Sequence, residues 1–380
     1  MTKKARQPFA NLYFFPLAAA YAALVLPWSV LAQFELVVAP PGIQAPLGHA
    51  HEMIFGFALA VVAGYVLGPQ PKPRIFLLTA IWLTARIAFL GWPSSMVSLA
   101  LNIGFAVLLA YRVVPRFART AKKWRNKAVA PIILGLCAGA VVFHGLYRAE
   151  IAGPLYGILL EAILLLSTLM FFMGGRMLAP AVAGHLLKQG HELEARVQPR
   201  LEGTVLIVMG LVLVLNLLPW APWRQMTGLL LLLAAALTLF RLVRWPVRLC
   251  LGRPDLLALM LGYWWIIAGW VLIATALLSN AIPLSTALHG MTIGALGTLT
   301  LTVMARTRTQ RSHKHTDMPK AVYVAIALIS FAALARIAAA VVPGLSLYLL
   351  GAFSWSLAFL ILTVVLIQLA QAEKRRRSLL

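Results

Sequence analysis

The feature that most constrains this chain is a series of apolar runs, each long enough to cross a bilayer, with little chain left between them. A helix spanning the ~30 Å hydrocarbon layer needs about 20 mostly apolar residues. Twelve runs of that length can be drawn, at roughly 11–32, 50–68, 75–91, 95–115, 129–147, 155–178, 203–219, 226–244, 256–279, 285–305, 320–341 and 346–371. Their breaks carry Pro, Gly and charge. Hydrophobic residues make up 62% and charged residues 11% of the sequence. Soluble domains sit near 45–50% and 25%, so a soluble multidomain protein is excluded. The expectation is one polytopic domain over residues 1–380: an all-α integral membrane protein with about 12 transmembrane helices. MTKKARQPFANLYFF has a basic start but no small-residue cleavage pattern, so the first run reads as a retained span.

Lys and Arg number 33 against 10 Asp and Glu, a net charge of +23. Their placement explains the excess. Lys3, Lys4 and Arg6 precede the first run, and Lys72 and Arg74 follow the second. Arg112, Arg116, Arg119, Lys122, Lys123, Arg125 and Lys127 follow the fourth, and Lys188, Arg196 and Arg200 the sixth. Arg244, Arg248 and Arg253 follow the eighth, Arg306 to Lys320 the tenth, and Lys374 to Arg377 the twelfth. All these gaps fall on one side, while the other carries Arg148 and Arg224. The positive-inside rule then makes both termini cytoplasmic in a multi-pass membrane protein. The basic connectors lie against anionic lipid, and without aromatic interleaving they are no nucleic-acid surface.

Ionisable groups at membrane depth are expensive and therefore functional candidates. His49 and His51 open the second run, His144 lies near the end of the fifth, and His289 near the start of the tenth. Arg86 and Arg336 each sit seven residues before a proline that closes an outward-running helix, in ARIAFLGWP and ARIAAAVVP. At ~1.5 Å per residue both lie about two turns below the outer surface. The short ARIA-x4-P repeat points to equivalent depth and is too short to prove duplication. Four histidines and two arginines thus share the outer leaflet. Imidazole ligates haem iron, copper and zinc, and an intramembrane Arg suits a propionate. His49 and His51 are about 200° apart on a helix, so either His49 belongs to a non-helical entry or the two serve different sites. Glu52 is placed to orient an imidazole or carry protons; Glu161 is a second candidate proton carrier.

Other signals are weaker. His185, His191, His313 and His315 fall in cytoplasmic loops, where HKH is at most a weak metal site. Asn102, Asn216, Tyr263 and Met260 read as packing or hydrogen-bonding groups. Cys137 and Cys250 cannot form a disulfide framework. No phosphate loop, HExxH, CxxC or CxxCH is present, which argues against an ATP-driven pump, a nicotinamide enzyme or a c-type haem.

GHAHEMIFGFALAVVAGYVL and ALHGMTIGALGTLTLTVMARTR resemble the two histidine motifs of the NnrS family of bacterial inner-membrane proteins. GGRMLAP, LGYWWIIAG and the FH ending of VVFH resemble further landmarks in the expected order. The resemblance covers nearly the whole chain. It implies a twelve-helix membrane protein that contains haem and copper and belongs to the nitric oxide response, often in denitrifying bacteria, without implying an established reaction. His49, His51, Glu52, His144 and His289 occupy matching positions, and the two intramembrane arginines look family-like. Relatives commonly carry His where this chain has Met260, so this chain either uses its thioether as a ligand or lacks that ligand.

The leading expectation is a protein that binds haem of b type, and copper, and handles nitric oxide in protection against nitrosative stress. His49, His51, His144, His289 and Met260 are the candidate metal ligands, and Arg86 and Arg336 the propionate partners. The alternative is a haem–copper oxidoreductase resembling a nitric oxide reductase, which needs an electron donor. A second alternative is a secondary transporter; against it, the polar groups lie near one surface and no inverted repeat with paired broken helices is apparent.

Overall fold

A computed structural model of the chain describes residues 7–120, 123–193, 198–218, 221–279, 281–342 and 344–378. Lys3, Lys4, Arg6, Lys122, Arg196 and Pro343, used above, lie outside the described residues. Among the described residues, twelve helices are long and apolar enough to cross a membrane. They are α1 (Asn11–Gln33), α2 (Pro46–Val66), α3 (Lys72–Gly91), α4 (Met96–Arg119), α5 (Trp124–Arg148), α6 (Leu155–Lys188), α7 (Pro199–Asn216), α8 (Pro222–Val243), α9 (Pro254–Leu278), α10 (Leu284–His313), α11 (Lys320–Ala338) and α12 (Leu345–Arg376). Among the described residues there is no strand, only an isolated bridge between Phe9 and Pro69. Helices satisfy every backbone group internally, which a bilayer demands of segments this apolar.

Several helix ends differ from the drawn runs. α6 does not stop at residue 178 but continues through Pro180 to Lys188. His185 is therefore on a helix, with Nε2 3.0 Å from the Leu249 carbonyl, and not in a loop. α7 starts at Pro199, where a proline costs no hydrogen bond. α11 ends at Ala338, so Arg336 sits in its last turn, nearer the surface than Arg86, which lies five residues before the end of α3 at Gly91. The two arginines are not at quite the same depth.

The chain crosses back and forth, and side-chain contacts tie the ends of distant helices into two faces. On the face that carries both termini, Arg308 of α10 donates to Asn11 of α1 (3.3 Å) and Glu373 of α12 (2.6 Å). On the opposite, loop face, the guanidinium of Arg336 from α11 lies 4.7 Å from the ring of Tyr348 on α12, and Tyr348 packs edge-on to Phe34 after α1. α1 and α12 pack closely, as do α11 with α12, α8 with α9, and α4 with α5.

α2 and α10 sit at the centre, each with 78% of its apolar window buried, against 33% for the peripheral α4. They share a construction that no other helix has. Each opens at the loop face with a six-residue α-helical segment ending in histidine, Pro46–His51 and Leu284–His289. Each then widens into a π-helical stretch, Glu52–Ala58 and Gly290–Gly297, before returning to α-helix. Aligned on these histidines the sequences read HEMIFG and HGMTIG. Since α3 and α11 follow with ARIA, α2–α3 and α10–α11 form a direct repeat. ARIA thus marks more than equivalent depth; the repeat is direct, not inverted. π-helical stretches are uncommon and concentrate at functional sites.

Candidate functional site

The six residues expected in one layer do gather at the loop face, but as two separate pairs of histidines, each with one arginine. His49 and His51 both lie on the opening helix of α2, and their side chains diverge: of the two arrangements open from spacing, they face different sites.

The first pair is His51 and His144. Both are buried, with His51 Nε2 2.9 Å from His144 Nε2. His51 is stacked on Phe89 (3.8 Å between centroids) and Phe143 (4.9 Å). Its Nδ1 lies 3.0 Å from Glu52 Oε1. A carboxylate only accepts, so His51 as a neutral imidazole carries its proton on Nδ1, and Nε2 holds the lone pair that accepts from His144. Glu52, fully buried, also accepts from Arg86 Nη1 at 2.8 and 2.9 Å and from the Tyr21 hydroxyl. Arg86 is closed off in turn by Asn102, whose Oδ1 accepts from Nη2. A Cβ at position 56 would lie 2.7 Å from Glu52 Oε2 and 3.0 Å from Arg86 Nη1, so Gly56 is what lets this ion pair lie against the π-helical backbone. Trp82 donates to the Gly56 carbonyl at 3.0 Å, satisfying a group in that stretch. The network joins one cation, one anion and a histidine pair, and leaves only the buried Nε of Arg86 without a partner.

The second pair is His49 and His289, both half-buried. Ser29 Oγ donates to the Leu26 carbonyl (2.8 Å) and lies 2.7 Å from His49 Nδ1, so it accepts from that nitrogen. His289 Nδ1 lies 2.5 Å from the Ser285 carbonyl, which likewise can only accept. Both imidazoles are thereby held with the proton on Nδ1 and a lone pair on Nε2, and neither Nε2 has a hydrogen-bond partner among the described residues. Fixing the tautomer through Nδ1 is how proteins prepare histidine for a metal. Arg336 is within electrostatic reach of both rings. Its Nη1 is buried without a hydrogen-bond partner. The position equivalent to Glu52 is Gly290, where a Cβ would come 2.5 Å from Leu272 Cδ1 and 3.5 Å from Gly269 Cα. Close packing of α9 against α10 thus takes the place of a carboxylate.

The remaining candidates lie apart. Glu161 accepts from Asn216 Nδ2 at 2.9 Å. Met260 is buried on α9 nearer the terminal face, about 27 Å along the helix from its loop-face end at ~1.5 Å per residue. The structure brings it to none of the four histidines. Tyr21 carries no sequence signal beyond being a hydroxyl in the alanine-rich stretch of α1. His313 and His315 are exposed and stacked at 5.5 Å. Cys137 and Cys250 are both buried, and burial pushes the Cys250 thiol up, away from a reactive thiolate. No group of three or more His, Cys, Asp or Glu suited to a metal occurs among the described residues.

Fold and site together define an all-α, multi-pass membrane protein with paired histidines under one surface. A family model described as NnrS protein matches residues 7–372. The chain belongs to the NnrS family and is a membrane protein of the nitric oxide response. Comparison with curated proteins finds no match.

The donor sets can be tested against haem and copper, the groups that the family resemblance implies. Axial nitrogens on opposite faces of a haem are about 4 Å apart, twice a metal–nitrogen bond, and nitrogens on a tetrahedral ion about 3.4 Å. At 2.9 Å, with phenylalanines against the rings, His51 and His144 fit no porphyrin between them. They fit a small ion after a shift of a few tenths of an ångström. The donor chemistry of His49 and His289 suits haem: two Nε2 lone pairs fixed through Nδ1, and in Arg336 an unused buried donor for a carboxylate.

Proposed function

We propose that the chain is a haem-binding protein of a bacterial inner membrane, with cytoplasmic termini, that handles nitric oxide. His49 and His289 supply ligands to haem of b type, and Arg336 receives a propionate. His51 and His144 hold a copper ion, oriented by Glu52. The observation that carries this reading is the pair of Nδ1-anchored histidines beside the unpartnered Nη1 of Arg336. When bound, haem supplies an iron that coordinates nitric oxide, and copper a second redox-active centre. The protein's own part is to fix both tautomers, to neutralise a propionate, and to keep the site close enough to the loop face for a small apolar gas to arrive from lipid or periplasm.

Purified protein is expected to show a Soret absorption band and to contain copper. Folded protein that remains colourless and metal-free after reconstitution sinks the reading.

A second reading, a haem–copper oxidoreductase, is favoured by one observation: Tyr21, Glu52, His51 and His144 form a continuous buried hydrogen-bond chain. Such a chain can relay protons. Anaerobic nitric oxide consumption with a reduced electron donor supports it; intact haem without turnover rejects it in favour of binding or sensing.

A further inference from the structure

Two stretches that carry the family resemblance, GGRMLAP on α6 and LGYWWIIAG on α9, take no part in the histidine pairs. They meet nearer the terminal face. A Cβ at position 174 would lie 2.9 Å from Tyr263 Cε2; one at 175 would lie 2.7 Å from Tyr263 Oη and 2.8 Å from Arg241 Nη2. Glycine there lets both side chains reach the α6 backbone, where the Tyr263 hydroxyl donates to the Phe171 carbonyl. Around them three arginines from three helices converge on one carboxylate. Arg125 (2.7 Å), Arg176 (3.1 Å) and Arg241 (3.1 Å) all donate to Glu202, and Arg176 also donates to Asn126.

The charge does not balance. Arginine stays protonated at any accessible pH, so among the described residues of this cluster three cations face one anion. The side chains of Arg241 and Glu202 are each 1% exposed, while that of Arg176 is 35% exposed and marks the way in. Buried charges need partners, and here donors are left over. Arg241 reaches Glu202 only through Nη2; its Nε and Nη1 are buried without hydrogen-bond partners, as is Arg176 Nε. The Phe171 and Trp245 rings lie 5.0 and 5.3 Å from the Arg241 guanidinium. Rings satisfy the face of a guanidinium, but its N–H groups lie in the plane and still require acceptors.

We propose that this cluster binds a phosphate-class oxyanion, free or as the headgroup of an anionic lipid. The anion enters past Arg176 and takes the open N–H groups of Arg241 and Arg176, while Glu202 spaces the three guanidiniums. Arginine's planar fork suits such an anion, which it holds through paired hydrogen bonds.

The test follows the thermal unfolding midpoint of the full chain in detergent at constant ionic strength. One arm titrates inorganic phosphate; the other compares phosphatidylglycerol with phosphatidylcholine. A saturable rise is expected. Arg176→Gln, at the accessible edge, weakens the apparent affinity about tenfold, and Glu202→Gln, which removes the competing carboxylate, tightens it. Arg253→Gln, in the separate ion pair with Asp255, leaves it unchanged. Saturation by inorganic phosphate assigns a free anion, and saturation by phosphatidylglycerol alone assigns a headgroup; both uphold the site. No saturation in either arm, or equal affinity in Arg176→Gln and the parent, overturns it. Should Glu202→Gln fail to fold, the Arg176→Gln comparison decides alone.

Discussion

α2–α3 and α10–α11 start from the same plan and arrive at opposite electrostatic states. In both, a short helix ends in histidine, a π-helical stretch follows, and an ARIA arginine comes up on the next helix. In the first copy the residue after the histidine is Glu52, and Arg86 is consumed by it and by Asn102. In the second it is Gly290, chosen by the close approach of α9, and Arg336 keeps a buried donor unused. One residue therefore separates a copy whose arginine is ion-paired, with only its Nε left unpartnered, from a copy whose arginine has no carboxylate partner among the described residues. The duplicated frame delivers histidines to the surface layer; the residue that follows decides whether the arginine is structural or available.

The contrast can be broken most severely in the closed copy. Glu52→Gln strands Arg86 in the interior, and breaking a buried pair from one side costs about 3–5 kcal/mol. Thermal unfolding in detergent should show a large loss, largely recovered by Glu52→Leu with Arg86→Leu; unchanged unfolding would mean the pair is not buried as described. The open copy can next be converted into a closed one. Gly290→Glu, with Leu272→Ala to clear the 2.5 Å approach, gives Arg336 a carboxylate. Haem affinity in a spectroscopic titration should fall about 10–100-fold, the usual range for disturbed partners of a metal site.

A smaller effect is expected from Arg336→Gln. This half-buried side chain forms no ion pair among the described residues, so unfolding should move by about 0.5 kcal/mol or less, while haem binds roughly tenfold more weakly for want of one charge-assisted contact. A large stability loss with unchanged binding would make Arg336 structural after all. Ser29→Ala is the mildest change. Losing the acceptor for His49 Nδ1 is worth about 1 kcal/mol, seen as a several-fold weaker titration, whereas the first pair should be untouched because Ser29 does not contact it.

The spans and the layer were legible because they depend on counting. Residues such as Lys72, Arg148 and Arg253 report sidedness through local charge, and His144 and His289 report depth through their distance from helix ends. What required the structure is relational. His49 and His51 are two residues apart in sequence, yet one belongs with His289 and the other with His144; spacing left open whether they diverge and could not name the partners. The π-helical stretches have no periodicity that an apolar run reveals, though H-x-M-x-x-G at 51–56 and 289–294 was open to a direct self-comparison. The Glu202 cluster was missed for another reason. Arg176 and Arg241 lie inside the drawn spans 155–178 and 226–244, so the rule that flags Arg86 flags them equally. Reading the positive excess as orientation drew notice away from arginines that are buried in ion pairs.

The central claim is that the two histidine pairs do different work, and an optical spectrum of the haem-reconstituted full-length protein tests it most directly. His49→Ala and His289→Ala are each expected to abolish or shift the Soret band, whereas His51→Ala and His144→Ala retain it and lose the bound copper instead. A Soret band that survives both His49→Ala and His289→Ala but disappears with His51→Ala or His144→Ala would contradict the account.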